Sequence, residues 1–266
     1  MTKRGYFDFD WGQLHYRSIS LGDDLPLLVM MHQSPLSSRN YEELLPYLGK
    51  NFQVIAIDTP GFGNSDKLPV EWEVNNYANL VFECADRLNQ DEFYLFGRAT
   101  GTIFALEASL MQSNRIKKLI LHGMPVYTSE ERKQRLADFA PPYKVLDDGS
   151  HLKWIWDRIH DEYPWINAEL ATNNLKDFLD CGPDFAASYR AIWRYDLPLR
   201  IKSRTDLTVM PILLIAGAND RIAFMHERAV QLLPEALVEY IEDATDFVAE
   251  QDPENFSKIL LNFLNN

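Results

Sequence analysis

Cysteine and long apolar runs are both scarce in this sequence. Of its 266 residues only Cys84 and Cys181 are cysteines, and they form neither a CxxC pair nor a cluster with histidines. A disulfide framework or a structural zinc site is therefore not expected, and a reducing compartment fits best. The longest apolar stretches, such as residues 25–31, fall short of the roughly 20 residues that a membrane-spanning helix needs.

Basic residues are also fewer than acidic residues. The chain has 26 Lys and Arg residues against 39 Asp and Glu residues, which gives a net charge of −13. Such an excess of acid disfavours nucleic acids and anionic membrane surfaces as partners. The first residues lack the apolar segment of a secretory signal peptide. We therefore expect a cytoplasmic protein with a small-molecule substrate or ligand, and the sequence leaves its oligomeric state open.

Short apolar runs alternate with amphipathic stretches along most of the chain. The runs that we expect to be buried strands are residues 25–31, 52–57, 92–96, 116–121, 211–216 and 236–241. Between them, residues 76–90 and 102–112 have helical periodicity. This alternation predicts an α/β fold with a mostly parallel, doubly wound sheet. The opening segment predicts an antiparallel hairpin at one edge.

The alternation breaks between about residues 126 and 200, where the sequence is aromatic, polar and rich in helix formers. We interpret this stretch as a helical cap over the carboxyl ends of the strands, where open α/β sheets bind ligands. The expected organisation is a core of residues 1–125 and 201–266, with a cap of residues 126–200. Together they would form a single structural domain.

Three motifs in this order resemble those of the α/β-hydrolase superfamily. MMHQSPLSS at 30–38 is similar to its HGxP oxyanion loop, and IDTPGFGNSD at 57–66 to its DxPGxGxSD loop. LFGRATGTIFALEASL at 95–110 is similar to the nucleophile elbow, G-x-S-x-G, in the expected strand–turn–helix context. The resemblance covers most of the chain and implies the α/β-hydrolase fold with a helical cap insertion.

The elbow lacks the serine that the resemblance leads one to expect. Ala99 stands at the nucleophile position, and its methyl group cannot attack a carbonyl. The resemblance places the triad acid at Asp220 and puts Asp246 where the histidine belongs. The order 99, 220, 246 is the chain order of this fold's nucleophile, acid and base. We therefore predict a degenerate triad that does not act as an ordinary serine hydrolase.

Two functional features would remain at such a site. If Asp220 and Asp246 approach closely, like-charge repulsion should raise one pKa, and the pair would either share a proton for acid–base work or stay solvated and inert. The resemblance also implies an oxyanion hole built from the backbone N–H groups of Gln33 and Thr100. Those donors do not depend on the missing side chains.

Three further side chains are candidates with two interpretations each. Arg98 would grip an acidic ligand or offset the two carboxylates, or else form a structural salt bridge. His122, after the strand at 116–121 and near the expected pocket mouth, would replace the lost base or be structural. Ser34 would bind substrate or satisfy the backbone of its Pro-containing loop.

No metal or cofactor is expected. The histidines lack the spacing of metal ligands. The glycines of PGFGNS lack both the Walker lysine and the spacing of a dinucleotide fingerprint.

Three functions remain in competition. The first is an enzyme without a covalent serine intermediate (a lyase, isomerase, cyclase or water-mediated hydrolase) that acts on a small, partly apolar carbonyl or ester compound. The second is a non-catalytic small-ligand-binding protein, and the third is a serine hydrolase inactivated by substitution. Departures at Arg98, Ala99, Thr102 and Asp246 together favour natural divergence over a single substitution. Retention of Asp220 favours the enzyme.

Overall fold

The computed structural model describes residues 1–22, 24–139, 142–203 and 210–266. Residues 23, 140–141 and 204–209, which fall within the predicted core and cap segments, lie outside the described residues. In the described part, one sheet has the strand order β1-β2-β4-β3-β5-β6-β7-β8. The strands are β1 (Lys3–Phe9), β2 (Gly12–Ile19), β3 (Leu27–Met31), β4 (Gln53–Ile57), β5 (Phe93–Arg98), β6 (Ile116–His122), β7 (Ile212–Asn219) and β8 (Leu237–Thr245).

The strand pairing confirms the predicted α/β architecture. β1 and β2 form the expected antiparallel hairpin, and β2 pairs antiparallel with β4. All remaining neighbours pair in parallel. The helices are α1 (Leu45–Leu48), α2 (Val74–Arg87), α3 (Thr100–Met111), α4 (Ser129–Asp138), α5 (Ser150–Glu162), α6 (Ala168–Cys181), α7 (Ala187–Arg194), α8 (Leu197–Lys202), α9 (His226–Leu232), α10 (Val248–Gln251) and α11 (Pro253–Asn265).

Helices cover both faces of the central strands. Tyr77 of α2 and Phe104 of α3 belong to the apolar core on one face of the sheet. Phe256 and Leu260 of α11 belong to the core on the other face. Strands that are buried on both faces need apolar side chains at successive positions, which explains the continuous apolar runs of β3, β5 and β6.

The prediction of a buried strand at 236–241 is wrong. β8 is the last strand of the described sheet, and Leu237, Val238 and Tyr240 are about half exposed or more. Helices cover the central strands, and this cover does not extend over β8 at the edge of the sheet, so its apolar side chains stay partly exposed.

Helices α4 to α8 come from the segment between β6 and β7, and α5 and α6 pack over the loops at the carboxyl ends of the strands. Their apolar core includes Ile155, Phe178 and Phe185 together with Leu36 and Phe62, which lie in the loops after β3 and β4. These helices therefore lie beside the edge of the sheet where the predicted site residues are found. Of the described helices, none combines the length and apolarity required to cross a membrane.

Candidate functional site

The elbow turn between β5 and α3 holds Ala99 in an unusual backbone conformation. Its φ is 46° and its ψ is −114°, a region that L residues rarely adopt. The Ala99 N–H donates to the carbonyl oxygen of His122 at 2.9 Å, which ties the turn to the end of β6. Backbone strain of this kind concentrates at functional sites. The turn thus has the sharp form of a nucleophile elbow although residue 99 is alanine.

Two glycines make this turn possible by leaving room for backbone. A Cβ added at Gly97 would lie 2.5 Å from the carbonyl oxygen of Gly101, and one added at Gly101 would lie 2.5 Å from that of Met31. Real Cβ atoms do not approach backbone oxygens so closely, and backbone cannot swing aside as a side chain can. Positions 97 and 101 therefore have no space for any side chain.

Thr100 directs its hydroxyl into the loop after β3. Thr100 Oγ1 accepts a hydrogen bond from the Ser34 N–H at 2.7 Å and lies 3.1 Å from Ser34 Oγ. From α7, Ser188 Oγ donates to Ser34 Oγ at 2.6 Å, and the Tyr189 hydroxyl donates to the Ser34 carbonyl oxygen. Ser34 is therefore held on three sides by side chains of the protein itself.

The two expected oxyanion donors lie at the same place in the fold. The Gln33 carbonyl accepts hydrogen bonds from His32 Nδ1 and from the Leu36 N–H, but in the described part of the chain the Gln33 N–H has no acceptor. Thr100 is the first residue of α3, and N–H groups in the first turn of a helix have no partner within that helix. Both amides thus have the capacity to bind an oxygen atom.

Asp220 and Asp246 each directly follow a strand, β7 and β8 respectively, and both are buried. Asp220 Oδ1 accepts from the Ile222 N–H at 2.8 Å, and Asp246 Oδ1 accepts from the Arg221 N–H at 2.6 Å. Burial raises the pKa of Asp220, and the nearby Asp246 carboxylate raises it further, to about 7. A raised pKa of this kind is the effect that like-charge repulsion has on one of two neighbouring carboxyl groups.

Contacts with β6 bring these carboxyl groups towards the elbow. A Cβ added at Gly123 would lie 2.8 Å from Asp220 Oδ2, so the carboxyl group rests against the residue after His122. The His122 carbonyl is the one that binds the Ala99 N–H. Ala99, Asp220 and Asp246 thus lie at the carboxyl ends of β5, β7 and β8, with β6 between β5 and β7.

Arg98 is the centre of a buried ion pair. It is 1% exposed, and its Nη1 lies 3.1 Å from Glu250 Oε2. Its Nη2 donates to the backbone oxygen of Asp246, and its guanidinium carbon lies 5.2 Å from the centre of the Phe247 ring. Asn40 completes the group by donating to Glu250 at 2.9 Å. Of the two interpretations of Arg98, the geometry favours the structural one.

The prediction that His122 lies near a pocket mouth is wrong. Its side chain is buried, with its ring centre 5.1 Å from that of Phe256 and 6.4 Å from that of Phe96. Neither ring nitrogen has a hydrogen-bond partner among the described residues. Burial, reinforced by Arg98, lowers the pKa of His122 to about 3, so the ring is neutral near pH 7. Alternate residues of a strand point to the same face of the sheet. His122 therefore points, like Ile120, to the face covered by α11.

Three residues of this site had no signal in the sequence. Ser188, Tyr189 and Glu250 lie far along the chain from the groups that they contact. They belong to helices that carry no motif of their own, so only the fold could reveal them. No group of three or more potential metal ligands occurs within the described ranges.

Comparisons with known proteins agree with this architecture. A family model described as alpha/beta hydrolase fold matches residues 26–144. An uncharacterized hydrolase of Bacillus subtilis (strain 168), YugF, is 25% identical over 246 residues, which cover 89% of each chain. The 2-(acetamidomethylene)succinate hydrolase of Mesorhizobium japonicum is 24% identical over 248 residues, which cover 90% of this chain and 88% of that enzyme.

Solved structures show the same fold over the whole chain. The crystal structure of E-2-(acetamidomethylene)succinate hydrolase superposes with a TM-score of 0.79 at 22% identity, covering 100% of both chains. That of the enol-lactonase from Burkholderia xenovorans LB400 has a TM-score of 0.78 at 19% identity, covering 98% of this chain and 100% of the other. With the sheet order and the match of the family model to residues 26–144, these similarities show that the chain has the α/β-hydrolase fold.

Proposed function

We propose that this protein is an α/β-hydrolase-superfamily enzyme with a degenerate triad of Ala99, Asp220 and Asp246. It acts on a small, partly apolar carbonyl or ester compound by acid–base chemistry, without a covalent serine intermediate. The observation that carries this proposal is the pair of buried carboxyl groups beside an elbow that has no nucleophile. A conventional triad would need a hydroxyl at position 99 and an imidazole at position 246.

The carboxyl pair has the properties of a general acid–base group. A pKa of about 7 for Asp220 lets the pair hold one proton near neutral pH, where proton transfer in either direction is most effective. Such a pair can activate a water molecule or move a proton at a carbon next to a carbonyl. Water-mediated hydrolysis and lyase, isomerase or cyclase reactions all need such a step.

The backbone amides supply the second element of this chemistry. In the proposal the Gln33 and Thr100 N–H groups bind the substrate's carbonyl oxygen and stabilise the negative charge that develops there. Arg98 does not touch substrate. Its contacts with Glu250 and with the Asp246 backbone hold the turn that carries Asp246 against the elbow.

The proposed cap is the segment 126–200, with residues 1–125 and 201–266 as the core. Its support is the packing of α5 and α6 over the loops that carry the site, and the contacts of Ser188 and Tyr189 with Ser34. The relatives named as hydrolases fit the hydrolytic branch of the proposal. Both cysteines are buried free thiols, which is consistent with a cytoplasmic location.

One observation favours a second candidate, a non-catalytic protein that binds a small ligand. Thr100 Oγ1 occupies the Ser34 N–H, and Ser188 and Tyr189 bind the rest of that residue. These contacts fill one side of the site with the protein's own side chains. A site that only binds ligand would tolerate this arrangement.

Esterase assays on purified protein test the proposal. Short-chain p-nitrophenyl esters should be turned over with saturation, and Asp220→Asn and Asp246→Asn should each lower kcat by about 100-fold or more. Asp243→Asn, an exposed site on β8, is the matched control and should keep the native rate. Native rates in both site variants would contradict the acid–base role of the pair.

A double variant separates the two candidates. Ala99→Ser with Asp246→His should gain an esterase activity that a serine-directed fluorophosphonate blocks, because the elbow and amides are in place. If the native chain is inert on carbonyl substrates and only the double variant turns over, the binding protein is the better description. The native chain should then show ligand-dependent increases in Tm.

A further inference from the structure

A second cavity lies away from the elbow and the carboxyl pair. It has a volume of about 410 Å³ and lies between the segment after β4, residues 60–71, and the ends of α6 and α7 that face each other. This volume is within the range of small-molecule sites. Most of its wall is apolar, formed by residues that include Phe62, Leu68, Val70 and Pro183.

One positive charge on this wall forms no ion pair with the described residues. Three charged residues line the cavity, and two of them are acids already paired with arginines of α7. Glu71 lies 2.9 Å from Arg194, and Asp184 lies 2.7 Å from Arg190. Lys67 has no carboxylate partner among the described residues. The available charge at the mouth of the cavity is therefore that of an ammonium group.

Tyr77 contributes a hydrogen-bond donor from the inner wall. The residue is 1% exposed, and its ring stacks on Phe104 with the ring centres 4.5 Å apart. Tyr77 lines the cavity, and its hydroxyl forms no hydrogen bond with the described residues. Burial raises the pKa of this phenol, so it remains an O–H donor at neutral pH. Buried hydroxyl groups normally have a partner, and a ligand in this cavity would supply one.

We propose that this cavity binds a small amphipathic carboxylate, whose carboxylate group contacts Lys67 and Tyr77 and whose apolar part lies against Phe62 and Leu68. An ammonium and a phenol O–H are suitable donors for a carboxylate, and the apolar residues of the wall offer contacts to the chain that follows it. This site is separate from the one in the proposed function, and neither proposal depends on the other.

A purely structural role for Lys67 predicts different behaviour. Lys67 Nζ lies 2.9 Å from where a Cβ at Gly182 would be, next to the carboxyl end of α6. A cation there also stabilises the helix through its dipole. In that case, loss of the charge would lower Tm and leave ligand affinity unchanged.

Calorimetric titration of the full-length protein with hexanoate and hexan-1-ol tests the inference. The wild type should bind hexanoate with saturation and more tightly than the alcohol, which has a similar apolar chain. Lys67→Met and Tyr77→Phe should each weaken hexanoate binding about tenfold and leave hexan-1-ol binding unchanged. Tyr77→Phe keeps the ring that packs on Phe104, so the folded core is preserved.

Two control variants complete the experiment. Lys176→Met changes an exposed lysine on α6, and Tyr240→Phe changes an exposed tyrosine on β8. Both should bind hexanoate as the wild type does. The inference is overturned if hexanoate does not bind with saturation, if either cavity variant keeps wild-type affinity, or if the control variants weaken binding to the same extent.

Discussion

Thr100 Oγ1 accepts a hydrogen bond from the Ser34 N–H at 2.7 Å, and both residues are buried. This bond joins the first residue of α3 to the loop after β3, the two segments that supply the proposed oxyanion donors. It also keeps the Ser34 amide from binding anything else. The loop is therefore fixed by a side chain rather than by a ligand.

Removal of the Thr100 hydroxyl should destabilise the protein. Thr100→Val preserves the shape of the side chain but leaves the buried Ser34 N–H without an acceptor, which costs about 1–3 kcal/mol. Urea unfolding measures the change in the free energy of unfolding. Thr172→Val, at an exposed site on α6, is the control and should change it by less than about 0.5 kcal/mol. Equal effects in the two variants would show that the Ser34 bond is unimportant.

Asp220 should make stability fall as pH rises. Its pKa is about 7 in the folded protein against an ordinary value of 3.8, so between these values the folded state binds a proton that the unfolded state has lost. The free energy of unfolding therefore decreases from about pH 4 to pH 7 and this contribution is constant above that. Asp220→Asn should remove it and be more stable than wild type at pH 8, by at most about 4 kcal/mol.

Unfolding curves at pH 5 and pH 8 would measure this difference. Asp243→Asn, at an exposed position, should leave the pH dependence of the wild type unchanged. An unaltered slope in Asp220→Asn would mean that this carboxyl group titrates normally in the folded protein.

The elbow should not tolerate a side chain at position 101. Gly101→Ala places a methyl group 2.5 Å from the Met31 carbonyl oxygen, and because both partners are backbone the strand or the helix must move. We expect a loss of about 3 kcal/mol in the free energy of unfolding. In Gly22→Ala, the added methyl meets only the flexible side chain of Leu25 at 3.3 Å, so little change is expected. Similar Tm values for the two variants would contradict the close packing of the elbow.

Arg98 and Glu250 should depend on each other. Arg98→Met leaves the largely buried Glu250 carboxylate unpaired, and removal of one partner of a buried ion pair costs about 3–5 kcal/mol. Arg98→Met with Glu250→Leu should recover most of this loss, as a double-mutant cycle with urea unfolding would show. Arg4→Met affects an exposed arginine and serves as the control. Additive losses in the double variant would disprove the coupling.

Local patterns were sufficient to predict the architecture and the elbow. The apolar runs of β3 to β7 and the glycines at 97 and 101 reflect constraints that act within a few residues, namely burial on both faces and close backbone approach. The residues that contact Arg98 and Ser34 could not be predicted from local patterns. Glu250 is separated from Arg98 by 152 positions and Ser188 from Ser34 by 154, and no periodicity or spacing encodes contacts at that distance.

The exposure of β8 was missed for a related reason. Residues 236–241 are as apolar as an interior strand, and periodicity alone does not say whether a strand has one neighbour or two. His122 was misplaced because the side of the sheet to which a residue points depends on register, which the sequence leaves unspecified until the strand is paired.

The backbone at Ala99 has a consequence for protein engineering. Its positive φ is maintained although no catalytic hydroxyl benefits from it, so the turn is imposed by the packing of the surrounding glycines. All L residues share the same Cβ direction at a given φ and ψ. Cysteine or selenocysteine installed at position 99 would therefore project towards the same point as a serine without any movement of the main chain. The fold is a scaffold in which artificial nucleophiles can be introduced by side-chain replacement alone.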